Sequence, residues 1–182
     1  MQAPAATAQG GTAVPAIETE RLRLRAHRAD DYATCLAIWS DPEVVRHISG
    51  RPSTGEDVWK RLLQYRGLWS LLGYGYWAVE EKDSGRYIGD VGHADFRRDL
   101  QPSLLGMLEC GWVLAPQAHG KGYASEAVAA ACDWADAQFP ERRVACIIAP
   151  ENRASIRVAE KAGFRLWCES AYHDSPTLMF NR

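Results

Sequence analysis

The chain of 182 residues has no apolar run near the roughly 20 residues that a membrane-spanning helix needs, so no membrane segment is expected. It has no surplus of either charge: 21 Lys and Arg stand against 23 Asp and Glu, for a formal net charge of −2. No run of five basic residues occurs, and the clustered cations on which nucleic-acid affinity rests are missing, so no nucleic-acid partner is expected. The five cysteines, Cys35, Cys110, Cys132, Cys146 and Cys168, are odd in number and never spaced Cys-x-x-Cys. That pattern argues against a disulfide framework or a zinc site, suits a reducing cytoplasm, and leads us to expect no metal. Residues 1–16 lack both the basic and the apolar part of a secretory signal and read as a flexible tail, leaving 17–182 as one domain.

What is present is concentrated between Leu108 and Ala127, where an apolar strand runs through Pro116 and a glycine-rich turn into a helix of small residues. Gly120 and Gly122 can adopt positive φ and carry no side chain. Successive backbone N–H groups can then converge on a phosphate held at the positive end of the helix dipole. The nucleotide P-loop does not fit, because Ala115 stands where its first glycine belongs and Gly122, with no hydroxyl for magnesium, follows Lys121. The dinucleotide fingerprint fails too, with Ser125 in place of its third glycine.

The run His119-Gly120-Lys121-Gly122-Tyr123-Ala124 resembles the acetyl-CoA loop of the GNAT acyltransferase superfamily, and its flanks resemble the RimJ/RimL-type branch, which acetylates protein N-termini and small amines. His119 departs from the Arg or Gln usual at that place. A second segment is similar to the family's Asn-x-x-Ser helix: Asn152-Arg-Ala-Ser155, ending in Lys161-Ala-Gly163-Phe164. Asn152 is also a good N-cap and Gly163 a good helix stop, so capping and cofactor binding both remain open for Asn152.

Periodicity gives a matching series of elements. Leu22–Arg25 alternates as a strand, and Tyr32, Cys35, Leu36 and Trp39 share a helical face that stops before Pro42. Ser53 to Glu56 suggests a capping box for a helix burying Val58, Leu62, Tyr65 and Trp69. A hairpin turning at Asp83-Ser84-Gly85 follows, then the strand ending at Leu114, a helix burying Val128, Ala131, Cys132 and Ala135, and the strand Val144–Ile148. Closing strands are expected near 164–168 and 177–180. The expected fold is a single α/β (α+β) domain. The family resemblance implies a mixed, mostly antiparallel sheet with about four helices, splayed between its fourth and fifth strands. Pantetheine would bind there to the backbone of Trp112, Val113 and Leu114, after a possible bulge at Gly111.

Acetyl transfer to an amine needs a base, an oxyanion donor and an acid for the leaving thiolate. Glu109 is the candidate base, against a purely structural role on a strand edge. The oxyanion donor is expected among the backbone amides of the same strand, Val113 in particular. The tyrosine many family members carry seven residues after the helix Asn is Ala159 here, leaving Ser155 as candidate acid or as a first-turn residue satisfying helix N–H groups. Cys110 as a covalent nucleophile has no assigned base. Deprotonating lysine at neutral pH costs about 3.5 kcal/mol more than an α-amine, so a peptide N-terminus or another low-pKa amine is the expected acceptor. Tyr74, between two glycines, is the aromatic most expected to be exposed near an acceptor. Three readings stay in play: an acetyl-CoA-dependent N-acetyltransferase acting as monomer or homodimer, a non-catalytic acyl-CoA-binding regulatory module, and a nucleotide-binding enzyme.

Overall fold

The computed structural model describes residues 13–182. Strands β1 (Ile17–Glu18) and β2 (Leu22–Arg25) precede three helices, α1 (Tyr32–Trp39), α2 (Pro42–Val45) and α3 (Gly55–Leu72). Next come β3 (Tyr76–Glu81), β4 (Arg86–Ala94), β5 (Leu108–Leu114), α4 (Tyr123–Gln138), β6 (Val144–Ile148), α5 (Arg153–Lys161), β7 (Arg165–Tyr172) and β8 (Ser175–Asn181). The strands form one sheet in the order β1-β2-β3-β4-β5-β6-β8-β7. Every neighbouring pair is antiparallel except β5 and β6, which are joined by the α4 crossover. That parallel pair is in register only at Leu108↔Val144 and Glu109↔Ala145, after which the strands part. These are the fourth and fifth strands of the sequence reading; the two-residue β1, too short to show periodicity, moves the count by one.

Sheet alternation divides the interior. On one face Leu24, Trp77, Val79, Val91, Leu108 and Cys110 pack with Ala127, Ala131 and Cys132 of α4 and with Ile156 and Ala159 of α5. On the other, Ala78, Tyr87 and Val113 pack with Cys35 and Trp39 of α1 and Val58 and Leu62 of α3. The capping box of α3 lies one residue later than the sequence suggested. Thr54 Oγ accepts from the Asp57 amide at 3.2 Å and Asp57 returns the bond to the Thr54 amide at 3.0 Å, while the Ser53 amide is committed to the Trp39 carbonyl. The helix ends at Gly73, whose φ of 75° only glycine adopts without strain. An additional single-turn helix, α2, is set by Asp41 accepting from the Glu43 amide ahead of Pro42.

Tyr74 corrects the sequence reading: it is buried, edge-on to Phe139 with centroids 5.5 Å apart, because the turn at Gly73 folds it under the end of α4. Of the expected tail, residues 1–12 lie outside the described residues. Val14 packs against the core and the Pro15 carbonyl accepts from Trp77 Nε1 at 2.7 Å. The β7–β8 hairpin turns through His173 and Asp174, both at positive φ, and the two strands are longer than expected. Among the described residues no helix is long and apolar enough to cross a membrane.

Candidate functional site

The open wedge between β5 and β6 is the centre of the candidate site. Its available backbone groups follow from the pairing alternation. The Ala115 amide donates to Ile88 of β4, whereas the Leu108 amide donates to Arg143 on the β6 side. With β4 and β5 in unbroken register, odd residues of β5 therefore turn their amides to β4 and even residues turn theirs to the wedge. Trp112 presents a free amide and carbonyl there and Leu114 a free amide, its carbonyl being taken by the His119 ring. Val113 does not: its amide faces Asp90 of β4, and this corrects the oxyanion and pantetheine roles expected of it. Gly111 is not a bulge either, since it sits opposite Gly92 in regular register; a Cβ there would lie 2.1 Å from Tyr76 Oη. The irregularity lies one strand away, between Val79 and Glu80.

The chain leaves β5 through a 3-10 turn and enters α4 through the glycine loop. Gly120 and Gly122 have φ of 75° and 82°, and Gly122 is the N-cap of α4. Among the described residues the Gly120, Lys121 and Gly122 amides have no hydrogen-bond partner, and the first-turn amides of α4 at Tyr123 and Ala124 lack intrahelical partners by geometry. Five adjacent donors at a helix N-terminus fit a diphosphate. The His119 side chain turns back to the Leu114 carbonyl at 2.9 Å; that oxygen can only accept, so Nε2 carries the proton and the ring holds the end of β5. The Tyr123 side chain is buried and its hydroxyl donates to Glu81, leaving only its backbone for a ligand.

A brace the sequence did not reveal fixes this loop. Glu126, in the first turn of α4, accepts from Thr19 Oγ1 at 2.6 Å and from the Arg21 amide at 2.8 Å, and pairs with the Arg21 guanidinium at 2.6 Å. Arg21 Nη1 also donates to the Lys121 carbonyl at 2.8 Å. Desolvation acts to raise the Glu126 pKa, but the hydrogen bonds from Thr19 and Arg21 outweigh it and hold the carboxyl below its ordinary value. The partners are about a hundred residues apart in sequence, which hides the pairing.

Because β5 and β6 are parallel, the helices that follow them begin at the same end of the wedge, where ligands of open α/β sheets bind. Asn152 caps α5, its Oδ1 accepting from the Ser155 amide at 3.1 Å. Ser155 is half-buried in the first turn and its hydroxyl has no described partner; Ala159 is wholly buried, so no phenol reaches the wedge from that position.

Glu109 stands at the last paired position of β5, at the apex of the wedge. It is buried, and Arg98 Nε lies 2.8 Å from both carboxylate oxygens. Burial raises its pKa, and the Arg98 ion pair opposes that rise. Cys110 points to the opposite face, where its sulfur, Cys132 Sγ and a His93 ring nitrogen lie within 4.8 Å of one another in the core. The hydrogen bond that Cys110 donates to Cys132, together with burial, pushes the Cys110 thiol well up, opposite to what a nucleophile needs. On the face of α1 and α3, fully buried Asp90 accepts from His27 Nε2 at 2.7 Å, Tyr87 Oη at 2.6 Å and Trp39 Nε1 at 3.0 Å. The only sequence signal for this network is an aspartate in the middle of an apolar strand.

Residues 21–165 match the family model of the acetyltransferase (GNAT) domain. The uncharacterized protein YkkB of Bacillus subtilis strain 168 is 33% identical over 149 residues, covering 80% of this chain and 82% of that protein. The uncharacterized N-acetyltransferase p20 of Bacillus licheniformis is 30% identical over 148 residues, covering 81% and 80%. A crystal structure of an acetyltransferase from Agrobacterium tumefaciens str. C58 aligns with a TM-score of 0.81 and 26% identity over 93% of this chain and 95% of that one. The fold alone is shared with RimL, a ribosomal L7/L12 α-N-protein acetyltransferase in complex with coenzyme A, at a TM-score of 0.75 and 16% identity over 92% and 97%.

Proposed function

The chain belongs to the GNAT acetyltransferase family, and on that premise we propose that it moves an acetyl group from acetyl-CoA to a primary amine by direct attack within a ternary complex. The observation that carries the reading is the convergence of an open strand edge and a glycine cradle at one end of the single parallel strand pair. Pantetheine adds to the edge of β5 through the backbone of Trp112 and Leu114. The diphosphate takes the amides of Gly120 to Ala124, and Asn152 borders the opposite lip.

In the transfer the amine nitrogen forms a bond to the thioester carbonyl carbon and the carbon–sulfur bond breaks. Charge building on the carbonyl oxygen is met by an amide of the open edge, Trp112 or Leu114, fixed before reaction and costing no reorganisation. The proton lost by the amine passes to Glu109, directly or through water; the departing thiolate is protonated from the Ser155 hydroxyl or from water it holds. Glu109 can accept only while ionised; burial leaves its pKa above the ordinary carboxylate value, and the pairing with Arg98 restrains that rise. A weak base favours an acceptor that already carries little charge at neutral pH: a peptide α-amine of the RimJ/RimL kind, or a small low-pKa amine.

Ala159 in place of a phenol acid and the Arg98 clamp on Glu109 favour a second reading, a regulatory module that binds acyl-CoA without turning it over. One experiment separates the two: thiol release from acetyl-CoA is followed against peptide N-termini, lysine peptides with blocked α-amines, polyamines and aminoglycosides, beside calorimetric binding of acetyl-CoA. Release with α-amine peptides supports the transferase reading. Binding without release from any class sinks it in favour of the module.

A further inference from the structure

The face of the sheet covered by α1 and α3 carries a cavity of about 430 Å³ between the α2–α3 connection and α3 itself. Arg51, Lys60 and Arg61 line it against one carboxylate, Asp57. Two of these cations have acidic neighbours: Lys60 Nζ lies 2.5 Å from Glu56, and Arg51 lies 3.9 Å from Asp57. Arg61 differs. Among the described residues it pairs with no carboxylate, and its Nε is buried with no acceptor. Its guanidinium stacks over the Trp39 ring, Cζ lying 3.5 Å from the centroid. Stacking uses the face of the guanidinium and leaves its in-plane fork of N–H donors, a geometry that suits the two oxygens of a carboxylate. Among the described residues no carboxylate meets that fork, which leaves its terminal N–H groups to pair with an incoming anion.

Two contacts link this cavity to the wedge. Trp39, beneath Arg61, donates to Asp90, which stands opposite Val113 of β5. One turn beyond Arg61 along α3, Tyr65 stacks on Tyr76 with centroids 4.5 Å apart, and Tyr76 Oη lies over Gly111. Both contacts lie on the face of the sheet that α1 and α3 cover, so the cavity and the strand on which transfer is proposed share that face.

We propose that this cavity holds a carboxylate of the acceptor. The acceptor class is then an acidic peptide whose N-terminal amine enters the wedge while an Asp or Glu further along it reaches Arg61. Polyamines and aminoglycosides, which carry only cations, are disfavoured there. This specificity rests on the acetyltransferase reading above.

The test uses matched peptides with free N-termini in which Glu, Gln or Lys is stepped through the residues after the first, assayed by thiol release with the intact protein and with Arg61→Gln and Arg61→Lys. The Glu peptides should show a KM about 10- to 100-fold below their Gln counterparts, the range of a charged hydrogen bond. That ratio should fall as salt is raised, collapse toward one in Arg61→Gln, and be partly kept in Arg61→Lys. A ratio near one in the intact protein, or one that Arg61→Gln leaves unchanged in a variant with a normal unfolding transition, overturns the acidic-acceptor assignment while leaving the transferase reading standing. Calorimetric titration of the same peptides into protein saturated with CoA reads the cavity independently of turnover. If no peptide is acetylated, Glu-over-Gln discrimination in binding that depends on Arg61 still supports the cavity, and its absence refutes it.

Discussion

Gly111→Ala tests the packing that shapes the acceptor side of the wedge. A Cβ at this position would lie 2.1 Å from Tyr76 Oη, 3.2 Å from its Cζ and 3.6 Å from its Cε1, so the phenol oxygen would have to retreat by at least about 1.3 Å to reach ordinary contact. It has little room to do so, because Tyr76 is buried and stacked at 11° on Tyr65. Overpacking of this kind costs about 1–3 kcal/mol. At roughly 2–4 °C per kcal/mol for a chain of this size, Tm should fall by about 2–12 °C. The offending atom is a single oxygen, so Tyr76→Phe should rescue most of the loss: the nearest remaining atom is Cζ, which has a few tenths of an ångström to give. Thermal unfolding of the two single variants and the double variant gives the coupling directly. If Gly111→Ala is as destabilising in the Tyr76→Phe background as in the intact protein, the clash does not explain why glycine occupies this position.

Gly122→Glu should abolish acetyl-CoA binding in calorimetry by placing a carboxylate against the diphosphate; normal affinity would refute the cradle. Glu126→Gln should weaken acetyl-CoA binding at neutral pH by loosening the brace to Arg21. Because the Glu126 pKa is lowered on folding, the brace is intact above the ordinary carboxylate value and is lost as pH falls through the lowered one, so the two proteins should converge in acid and an equal gap at every pH would count against it. Arg98→Gln removes the interaction that opposes burial at Glu109, so its pKa should rise and the acidic limb of kcat/KM for one acceptor should move to higher pH; an unmoved limb would take Glu109 out of the base role. Asn152→Ala should cost about 1 kcal/mol through loss of the cap on α5. Ser155→Ala should lower kcat with acetyl-CoA affinity little changed, and an unchanged kcat would leave Ser155 without a part in the transfer.

The cofactor loop was legible because its requirement is local. Glycines at positive φ, a helix start and a strand before it lie within twenty residues, and the binding proposed for the loop asks only for backbone groups. The helical faces of α3 and α4 were legible for the same reason, periodicity being a property of one segment. Where a local signal had a near competitor the sequence misled: Ser53 and Thr54 are both good caps, and the tertiary bond from the Ser53 amide to Trp39 decides between them. Tyr74 looked exposed because flanking glycines mark a turn, but burial depends on what packs over the turn, and α4 does.

By itself the sequence determined a single α/β domain with a glycine loop at a helix start, and the motifs by which it resembles its family. Only the tertiary structure decided which amides of β5 are free, because that depends on which neighbour each residue faces across the sheet; those of Trp112 and Leu114 face the wedge and that of Val113 faces β4. Only the structure joined Arg21 to Glu126, Arg98 to Glu109, and His27, Tyr87 and Trp39 to Asp90. Such pairings join distant parts of the chain through charge and hydrogen bonding, and no periodicity encodes them.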